Sequence, residues 1–393
     1  PPEWRGPAAP APKGERNYTM TGAMYAAIAG LQAHMQKLNV IGNNVANVNT
    51  YGYKAGSTVF AESMYSTVSA GSNSSPTSGG TNPAQIGYGC SVSTIDLDMS
   101  TKEYVPDGIG THAMIAGDGF FMVGDKNGVT DPSALQLTRL GDFRFDDEGY
   151  LVDGRGNIVY GFLTATGEEG GHALNMNDLE NDQYAYRGQN GNQTVGVSTE
   201  LVPIRLPLAA KAPENPDDAD AVQEGTAIYP YVDGDGNTFD ASTEANAEGI
   251  RVQLNSVSID KDGMISGVNK VTGETVVVGY IAIAGVDNPS GVTHMGGPYY
   301  QALGGAGNVR VGSVNNVVQG YLNNQAAGDD VPYLDMIQGT GGTELQTSGL
   351  ESSGTDIATE FSEMITTQRG YQANTRIITV TDSMLEELVN MKR

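Results

Sequence analysis

The feature that most constrains this chain is a pair of amphipathic repeats, one at each end. Apolar residues recur there at spacings of four and three, which is the pattern of a helix with one apolar stripe. We therefore predict long helices over residues 21–46 and 356–392, each with a coiled-coil-like seam. The seam residues are Met24, Ile28, Leu31, Met35, Leu38 and Val45 at one end, and Ile357, Phe361, Met364, Tyr371, Ile378, Leu385 and Val389 at the other.

A second apolar stripe lies one position away on the C-terminal repeat, at Ile377, Met384, Leu388 and Met391. Two terminal helices can pack on each other within one chain, and that arrangement is common. In this chain such packing would still leave one helix face in water, because the sequence between the two helices is typical of β strands and contains no further apolar helix. We therefore expect the two seams to be buried between copies of the chain.

The middle of the chain has the pattern of short strands joined by tight turns. Its 393 residues include 53 glycines and frequent Asp-Gly pairs, which are typical of hairpin turns. The predicted fold class is α+β, with mainly β domains in nested insertion between the two helices. The predicted segments are a disordered leader (1–20), the N-terminal helix and connecting segment of an assembly domain (21–60), the first part of an inner β domain (61–164), an inserted outer β domain (165–250), the second part of the inner domain with loops (251–349) and the C-terminal helix of the assembly domain (350–393).

Composition excludes several classes of partner. A formal charge of −25 repels phosphate backbones and anionic lipid, so we expect no nucleic-acid partner. No apolar run approaches the ~18 residues of a membrane span, so we expect no membrane insertion. Residues 1–19 lack the apolar region of a signal peptide. The single cysteine, Cys90, precludes an internal disulfide framework and is predicted to be a buried small residue.

No set of residues predicts catalysis or a cofactor. The segment from Asp233 to Glu244 has the ligand spacing of a calcium loop, but Thr238 stands where that loop needs glycine, so we favour a plain hairpin and predict no metal site. The acidic middle is also compatible with a secreted adhesin or a glycan-active enzyme. Against an enzyme, the one tryptophan, Trp4, lies in the leader and no cluster of aromatic and acidic residues marks a cleft.

The segment from Asn39 to Lys54 resembles the signature of the bacterial flagellar rod and hook protein family. Three further stretches resemble family motifs in the family's order: 117–121, 138–143 and 364–374. The resemblance covers roughly residues 21–165 and 255–393. The motif residues that we single out are Asn43, Asn44, Asn47, Gly52, Lys54, Gly119, Phe120, Gln368, Arg369, Tyr371 and Asn374.

The asparagines of this signature are predicted to serve the backbone, because Asn side chains satisfy exposed N–H and C=O groups where a helix ends. Lys54 and Arg369 have two open interpretations. They either pair with carboxylates of neighbouring subunits or are solvated on the surface.

The resemblance implies a structural protein and not an enzyme. It implies a subunit that polymerises helically into the flagellar hook, a curved flexible tube that couples rod to filament and transmits torque. Residues 277–284 and the ~85-residue insert favour a hook over a distal rod subunit, which is the alternative. The implied partners are further copies, the hook cap protein, the distal rod protein, the hook–filament junction proteins and the flagellar type III export apparatus. The implied location is extracellular, in the flagellum, after export without a cleaved signal and with the chain ends unfolded before assembly.

Overall fold

The chain forms two compact units in a computed structural model. The terminal unit comprises residues within Pro1–Val48, Lys54–Asp98 and Thr355–Arg393, and the central unit those within Asn49–Tyr53 and Met99–Gly354. The structure describes residues 15–74, 79–126, 132–167, 195–198, 200–211, 223–232, 238–239, 247–314, 320–321, 333–334 and 343–391.

The terminal unit contains both helices. Helix α1 covers Glu15–Ala46 and α2 covers Ile357–Met391, so α2 agrees with its predicted bounds to one residue. Helix α1 begins earlier than predicted, and residues 15–20, assigned to a disordered leader, are helical. Residues 1–14 lie outside the described residues. A mostly β chain with a helix near each end is confirmed.

The two helices pack against each other as an antiparallel pair. A Cβ added at Gly30 would lie 2.8 Å from the Asn374 amide nitrogen, and one added at Gly370 would lie 2.8 Å from the His34 ring. Further along, Lys37 Nζ lies 3.0 Å from a carboxylate oxygen of Glu363. The glycines matter because the absence of a side chain lets the helices approach closely. That the chain ends are unfolded before assembly stays a prediction.

Four strands complete the terminal unit: β1 (Gly56–Glu62), β2 (Tyr65–Ser69), β3 (Ala84–Gly87) and β4 (Cys90–Leu97). Strand β1 pairs antiparallel with β4, and β2 pairs antiparallel with β3. The two pairs form one continuous ribbon, because the Ser63 N–H donates to the Gly89 carbonyl at 2.9 Å and the Tyr88 N–H donates to the Met64 carbonyl at 3.1 Å. The base of the ribbon contacts α1, where the rings of Phe60 and His34 meet edge to face at 5.8 Å.

The central unit is built from short strands around one core. Its strands are β5 (Tyr104–Pro106), β6 (Ala113–Ala116), β7 (Phe120–Gly124), β8 (Gln136–Thr138), β9 (Arg144–Phe145), β10 (Leu151–Val152), β11 (Ile158–Gly167), β12 (Val195–Val197), β13 (Val202–Pro203), β14 (Leu208–Ala210), β15 (Ala227–Ile228), β16 (Tyr231–Val232), β17 (Thr238–Phe239), β18 (Ala247–Arg251), β19 (Leu254–Ile259), β20 (Met264–Asn269), β21 (Thr275–Val286), β22 (Thr293–Gly296), β23 (Tyr299–Gln301), β24 (Val309–Ser313), β25 (Gly320–Tyr321), β26 (Tyr333–Leu334), β27 (Glu344–Thr347) and β28 (Gly349–Glu351). Short 3₁₀ turns cover Pro132–Ala134 and Pro289–Gly291.

Strand β21 is the centre of this unit. It pairs antiparallel with β7, β11, β20 and β24, and all its residues after Thr275 are buried. This agrees with its nearly continuous apolar sequence, which is typical of a strand covered on both faces. The core around it includes Ile281, Ile283, Phe121, Phe143 and Ile115, all fully buried.

The unit boundary differs from the sequence-based one. Residues 61–97, predicted to open the inner β domain, lie in the terminal unit beside the helices. Strands β14, β15 and β18 form a separate small sheet beside a second apolar cluster of Tyr229, Val252 and Val276. The outer domain over 165–250 and its nested insertion stay predictions, since much of that segment lies outside the described residues. Strands β24 to β28 also occupy parts of 311–349, where the sequence predicts loops.

Candidate assembly surface

Helix α1 buries a face made of small residues. Its buried members include Ala27, Gly30, Ala33 and Ile41, which are separated by three, three and eight residues and so share one helix face. The predicted seam lies elsewhere on the helix. Ile28 and Met35 are exposed, while Met24, Leu31, Leu38 and Val45 are partly buried. The sequence reasoning missed this small-residue face because it followed large apolar side chains only.

On α2, the least exposed positions form a stripe that lies on the α1 side. It contains Thr367 and Thr381, both buried, and three predicted seam residues, Met364, Ile378 and Leu385, which are partly buried. The other predicted members, Ile357, Phe361, Tyr371 and Val389, are exposed. The predicted seam therefore splits between a covered and an uncovered face.

An exposed apolar stripe remains on α2 after the helices pair. Met384 is 50% exposed and Met391 is 79% exposed. This stripe is the second stripe seen in the sequence, Ile377, Met384, Leu388 and Met391, together with Val380. The other exposed large apolar residues of α2 lie on a different side of the helix, at a repeat of 3.6 residues per turn, and are Ile357, Phe361, Ile365, Tyr371 and Val389. So many exposed large apolar residues on one helix are far more than scattered surface residues, and they mark interaction surfaces.

Asn44 joins three elements of the terminal unit. Its Nδ2 donates to the Gly56 carbonyl at 2.9 Å and to Glu360 Oε1 at 2.8 Å, and its Oδ1 accepts the Gly56 N–H at 3.0 Å. Its own carbonyl accepts from Thr355 Oγ1 at 3.1 Å. The side chain is 2% exposed. The end of α1, the start of β1 and the start of α2 are thus held at one buried amide.

Asn47 closes the last turn of α1. Its Nδ2 donates to the Asn43 carbonyl at 2.9 Å and to Asn43 Oδ1 at 3.2 Å. At the other helix, Asp356 is the N-cap: its Oδ1 accepts the Ala358 N–H at 3.0 Å, and Thr359 Oγ1 donates to Oδ2 at 2.6 Å. These hydrogen bonds, the one from Thr359 first, lower the pKa of the Asp356 carboxyl. Both helix ends near Asn44 are therefore satisfied by side chains.

Glu360 meets Asn44 from the first turn of α2. Burial raises the pKa of its carboxyl, and the hydrogen bond from Asn44 opposes that shift.

The remaining motif residues of α2 differ in their exposure to solvent. Gln368, Arg369 and Tyr371 are exposed, and Asn374 is partly buried against Gly30.

Lys54 is buried, with 1% of its surface exposed. Both interpretations from the sequence are wrong for this residue, since a side chain so enclosed is neither solvated nor open to a neighbouring subunit. Arg369, in contrast, is exposed. Cys90, predicted to be buried, is partly exposed.

The motif residues of the central unit serve its backbone and core. Gly52 has φ +68° and its N–H donates to the Glu351 carbonyl at 2.9 Å; Gly119 has φ +124°. Both conformations favour glycine. The ring of Phe120 is buried, with the Arg139 guanidinium 5.2 Å from its centre. Burial lowers the pKa of Arg139, and the charge of Glu351 opposes this.

The described residues show no catalytic or metal-binding arrangement. Among them, no three His, Cys, Asp or Glu side chains are grouped to hold a metal ion. Of the calcium-like segment, only 238–239 is described, as strand β17, and its other residues lie outside the described part of the chain. Neither described helix is long and apolar enough to span a bilayer.

Comparison with known proteins shows which class of protein this chain resembles. Three family descriptions match the chain: "Flagella basal body rod protein" at residues 24–54, "Flagellar hook protein FlgE/F/G D1 domain" at 114–193 and "Flagellar basal body rod FlgEFG protein C-terminal" at 346–391. The first and third fall on α1 with its signature and on α2. The matched segments thus include Asn44, which connects α1, β1 and α2, and the exposed stripe of α2.

Relatives that align over nearly their whole length are also flagellar rod and hook proteins. The chain is 30% identical to the flagellar basal-body rod protein FlgG of Bacillus subtilis over 375 residues, 95% of this chain and all of that protein. It is 24% identical to the flagellar hook protein FlgE of Borreliella burgdorferi over 471 residues, with 95% and 100% coverage, and 27% identical to that of Escherichia coli over 422 residues, with 93% and 99% coverage. The chain belongs to the flagellar rod and hook protein family. It is a structural subunit of the bacterial flagellum, in the basal body or hook polymer.

Proposed function

We propose that this subunit polymerises helically through its paired terminal helices and that the polymer is the flagellar hook. The observation that carries the proposal is the exposed stripe of α2, which stays open although α1 already covers another face of that helix. In a polymer, neighbouring helix pairs cover these stripes. The intramolecular pair is then the building block, and the seam residues that it leaves exposed are buried between copies.

Burial of the exposed apolar residues of α2 supplies free energy for polymerisation. Burying apolar surface contributes ~25 cal/mol per Å², and fully covering one large apolar side chain contributes roughly 1.5–3 kcal/mol. Met384, Leu388 and Val389 are about half exposed or more, so each contributes about 1 kcal/mol when covered. The ten exposed large apolar residues of α2 together contribute about 10 kcal/mol when covered, which is comparable to the roughly 4–15 kcal/mol cost of association.

The further consequences follow from the hook assignment. The polymer is a curved, flexible extracellular tube that couples rod to filament and transmits torque, and the subunit is exported by the flagellar type III apparatus without a cleaved signal. Its partners are the cap protein during assembly, the distal rod protein and the hook–filament junction proteins. It has no enzymatic step and needs no cofactor.

A distal rod subunit is the second candidate, and a specific observation favours it. The rod relative has 30% identity over its full length. The alignments with the two hook proteins run over 422 and 471 positions against 393 residues here, so those hook proteins carry segments that this chain lacks. Polymer shape separates the candidates, because a straight tube supports the rod and a curved one supports the hook.

The test is assembly of purified protein, followed by negative-stain electron microscopy. We expect tubes from the wild type and none from Met384→Glu, which places a carboxylate on the open stripe. Gln372→Glu, at an exposed polar position of the same helix, is the matched control and should still assemble. Tubes from Met384→Glu at the wild-type protein concentration would refute the helix mechanism. Glycan turnover without polymer formation would support the enzyme class instead.

A further inference from the structure

The loop that joins β5 to β6 in the central unit is closed by two side chains of opposite charge. His112 Nδ1 donates to Asp107 Oδ2, and Asp107 Oδ1 accepts the Ile109 N–H at 2.9 Å. Burial opposes the ionisation of Asp107, but the hydrogen bonds from Ile109 and His112 outweigh it and lower the pKa of this carboxyl. The anion that His112 contacts is therefore present in neutral and in mildly acidic solution.

Ser348 holds both ends of this loop. Its N–H donates to the His112 carbonyl at 2.8 Å, and its own carbonyl accepts the N–H groups of Asp107 at 3.0 Å and Gly108 at 3.2 Å. Ser348 makes these bonds at φ +62°, a left-handed conformation that is unfavourable for a residue with a side chain. A strained backbone position of this kind persists only while its surroundings hold it. The closed loop and Ser348 thus depend on each other.

Asp142 lies beside the same loop with an unsatisfied carboxylate oxygen. It is opposite His112 in an antiparallel bridge, and its Oδ1 is buried without a hydrogen-bond partner in the described part of the chain. Burial and the nearby charge of Asp153 raise the pKa of the Asp142 carboxyl, whereas a bond from the Gly154 N–H and the charge of His112 oppose this shift. A buried oxygen that lacks a partner favours the neutral form of the carboxyl.

Asp153, in contrast, has partners for all its acceptor sites. Its Oδ1 accepts the N–H groups of Arg155 and Asn157, both at 2.9 Å. Its Oδ2 accepts from the Tyr299 hydroxyl at 2.5 Å and from Asn157 Nδ2 at 3.3 Å. Four acceptor sites are what an ionised carboxylate offers. Burial and the bond to Asp153 raise the pKa of Tyr299, so its hydroxyl keeps its proton. The Arg155 guanidinium lies 5.6 Å from the centre of the Tyr299 ring.

Asp107, His112, Asp142 and Asp153 form one group of titratable side chains, which we call the His112 cluster. When ionised, its carboxyls carry three negative charges, against Arg155 and, when protonated, His112. Neighbouring like charges disfavour the ionisation of both groups. Histidine is the side chain that ordinarily gains a proton between about pH 5 and pH 8. One added proton, on the imidazole or shared with a carboxyl, reduces the excess negative charge.

We propose that the His112 cluster takes up a proton in mildly acidic solution and so fastens the loop of residues 107–112 on the central unit. A proton on the imidazole strengthens its pair with Asp107, and a proton on Asp142 removes repulsion with Asp153, so both effects have the same sign. The loop is closed below neutral pH and loosens as the pH rises. This pH-sensitive switch goes beyond the proposed polymer and does not depend on it.

The test is hydrogen–deuterium exchange of the full chain before assembly, with mass spectrometry of peptides that cover residues 107–113. Exchange is expressed as protection factors, which removes the pH dependence of the chemical step. Protection should rise about three- to tenfold between about pH 8 and about pH 6, because an opening that releases one proton becomes up to about tenfold less favourable per pH unit. Equal protection of the wild type at both pH values would overturn the proposal.

Three variants separate the switch from a general effect of pH. Asp142→Asn keeps an oxygen for the Gly154 N–H but carries no charge, and it should reduce the gain to about twofold or less. His112→Gln should leave the loop weakly protected at both pH values. Asp147→Asn, at an exposed position of the same segment, is the matched control and should keep the wild-type gain.

Melting curves check that each variant folds, and Asp142→Asn decides the matter if His112→Gln does not. A full gain in Asp142→Asn, or an equally reduced gain in Asp147→Asn, would show that the cluster does not control the loop.

Discussion

Asn44 binds both backbone polar groups of Gly56, donating to its carbonyl at 2.9 Å and accepting its N–H at 3.0 Å. A side-chain amide that pairs with one residue in this way replaces a strand neighbour at the first position of β1. Its second amide hydrogen reaches Glu360 on α2. The direction in which the chain leaves α1 is therefore set together with the placement of α2.

We predict that Asn44→Ala lowers the free energy of unfolding of the terminal unit by about 2–4 kcal/mol, because it removes two hydrogen bonds to the partly buried backbone of Gly56 and one to Glu360. Thermal unfolding followed by circular dichroism at 222 nm measures the loss. Asn47→Ala removes only exposed bonds at the helix end and should cost about 1 kcal/mol or less. Equal effects of the two substitutions would contradict the conclusion that Asn44 connects α1, β1 and α2.

Glu360→Gln tests the partly buried carboxyl beside Asn44. Because the folded-state pKa is raised, the protonated form is favoured on folding, and stability from this group falls as pH rises through that pKa. Glutamine keeps an oxygen acceptor for Asn44 and removes the charge. At pH 7 we expect a small gain in melting temperature, which disappears in acid below the ordinary glutamate pKa.

Glu363→Gln is the matched control for this substitution. It removes the partner of Lys37 in an ion pair whose side chains are 22% and 48% exposed, so stability should change little or fall slightly. A gain for Glu363→Gln, or a loss for Glu360→Gln at pH 7, would show that burial does not govern the Glu360 carboxyl.

Local signals predicted the helices and the backbone role of the asparagines. Large apolar residues at helical spacing predicted α1 and α2, and asparagines at the end of a helical segment predicted bonds to the backbone, which Asn44 and Asn47 make. The buried face of α1 was not predictable in the same way. Ala27, Gly30 and Ala33 are small, so a pattern based on large side chains misses a helix pair whose contact depends on close approach.

The features that the sequence did not predict depend on contacts between residues far apart in the chain. The burial of Lys54 depends on tertiary packing that has no local pattern in the sequence. Similarly, the alternation of apolar residues and carboxylates over residues 95–99 is typical of a half-buried strand, but it does not say whether that strand lies with the helices or with the central core. The ribbon joins the helices because its base contacts α1 at His34 and Phe60, and such contacts are not encoded in spacing along one segment.

Gly52→Ala tests a backbone requirement of the central unit. Gly52 is buried at φ +68°, and an added Cβ would lie 3.4 Å from Leu140. We expect a loss of about 1–2 kcal/mol from the left-handed conformation alone. Gly42→Ala serves as the contrast, because an added Cβ at this helical position has no atom within 4 Å, and it should stabilise α1 by about 0.5–1 kcal/mol. Chemical denaturation of both variants measures the two signs, and a neutral Gly52→Ala would contradict the strain argument.

Deleting residues 357–393 separates folding from assembly. The central unit has its own core around β21, so the truncated chain should keep the near-ultraviolet circular dichroism signal of its packed aromatic residues. It loses the whole stripe of α2 and uncovers the small-residue face of α1, and it should therefore stay free of tubes at every concentration reached by the wild type. Sedimentation and electron microscopy distinguish the outcomes. Tubes built by the truncated chain would show that the polymer does not depend on the helix pair, and loss of the aromatic signal would show that the central unit needs α2 to fold.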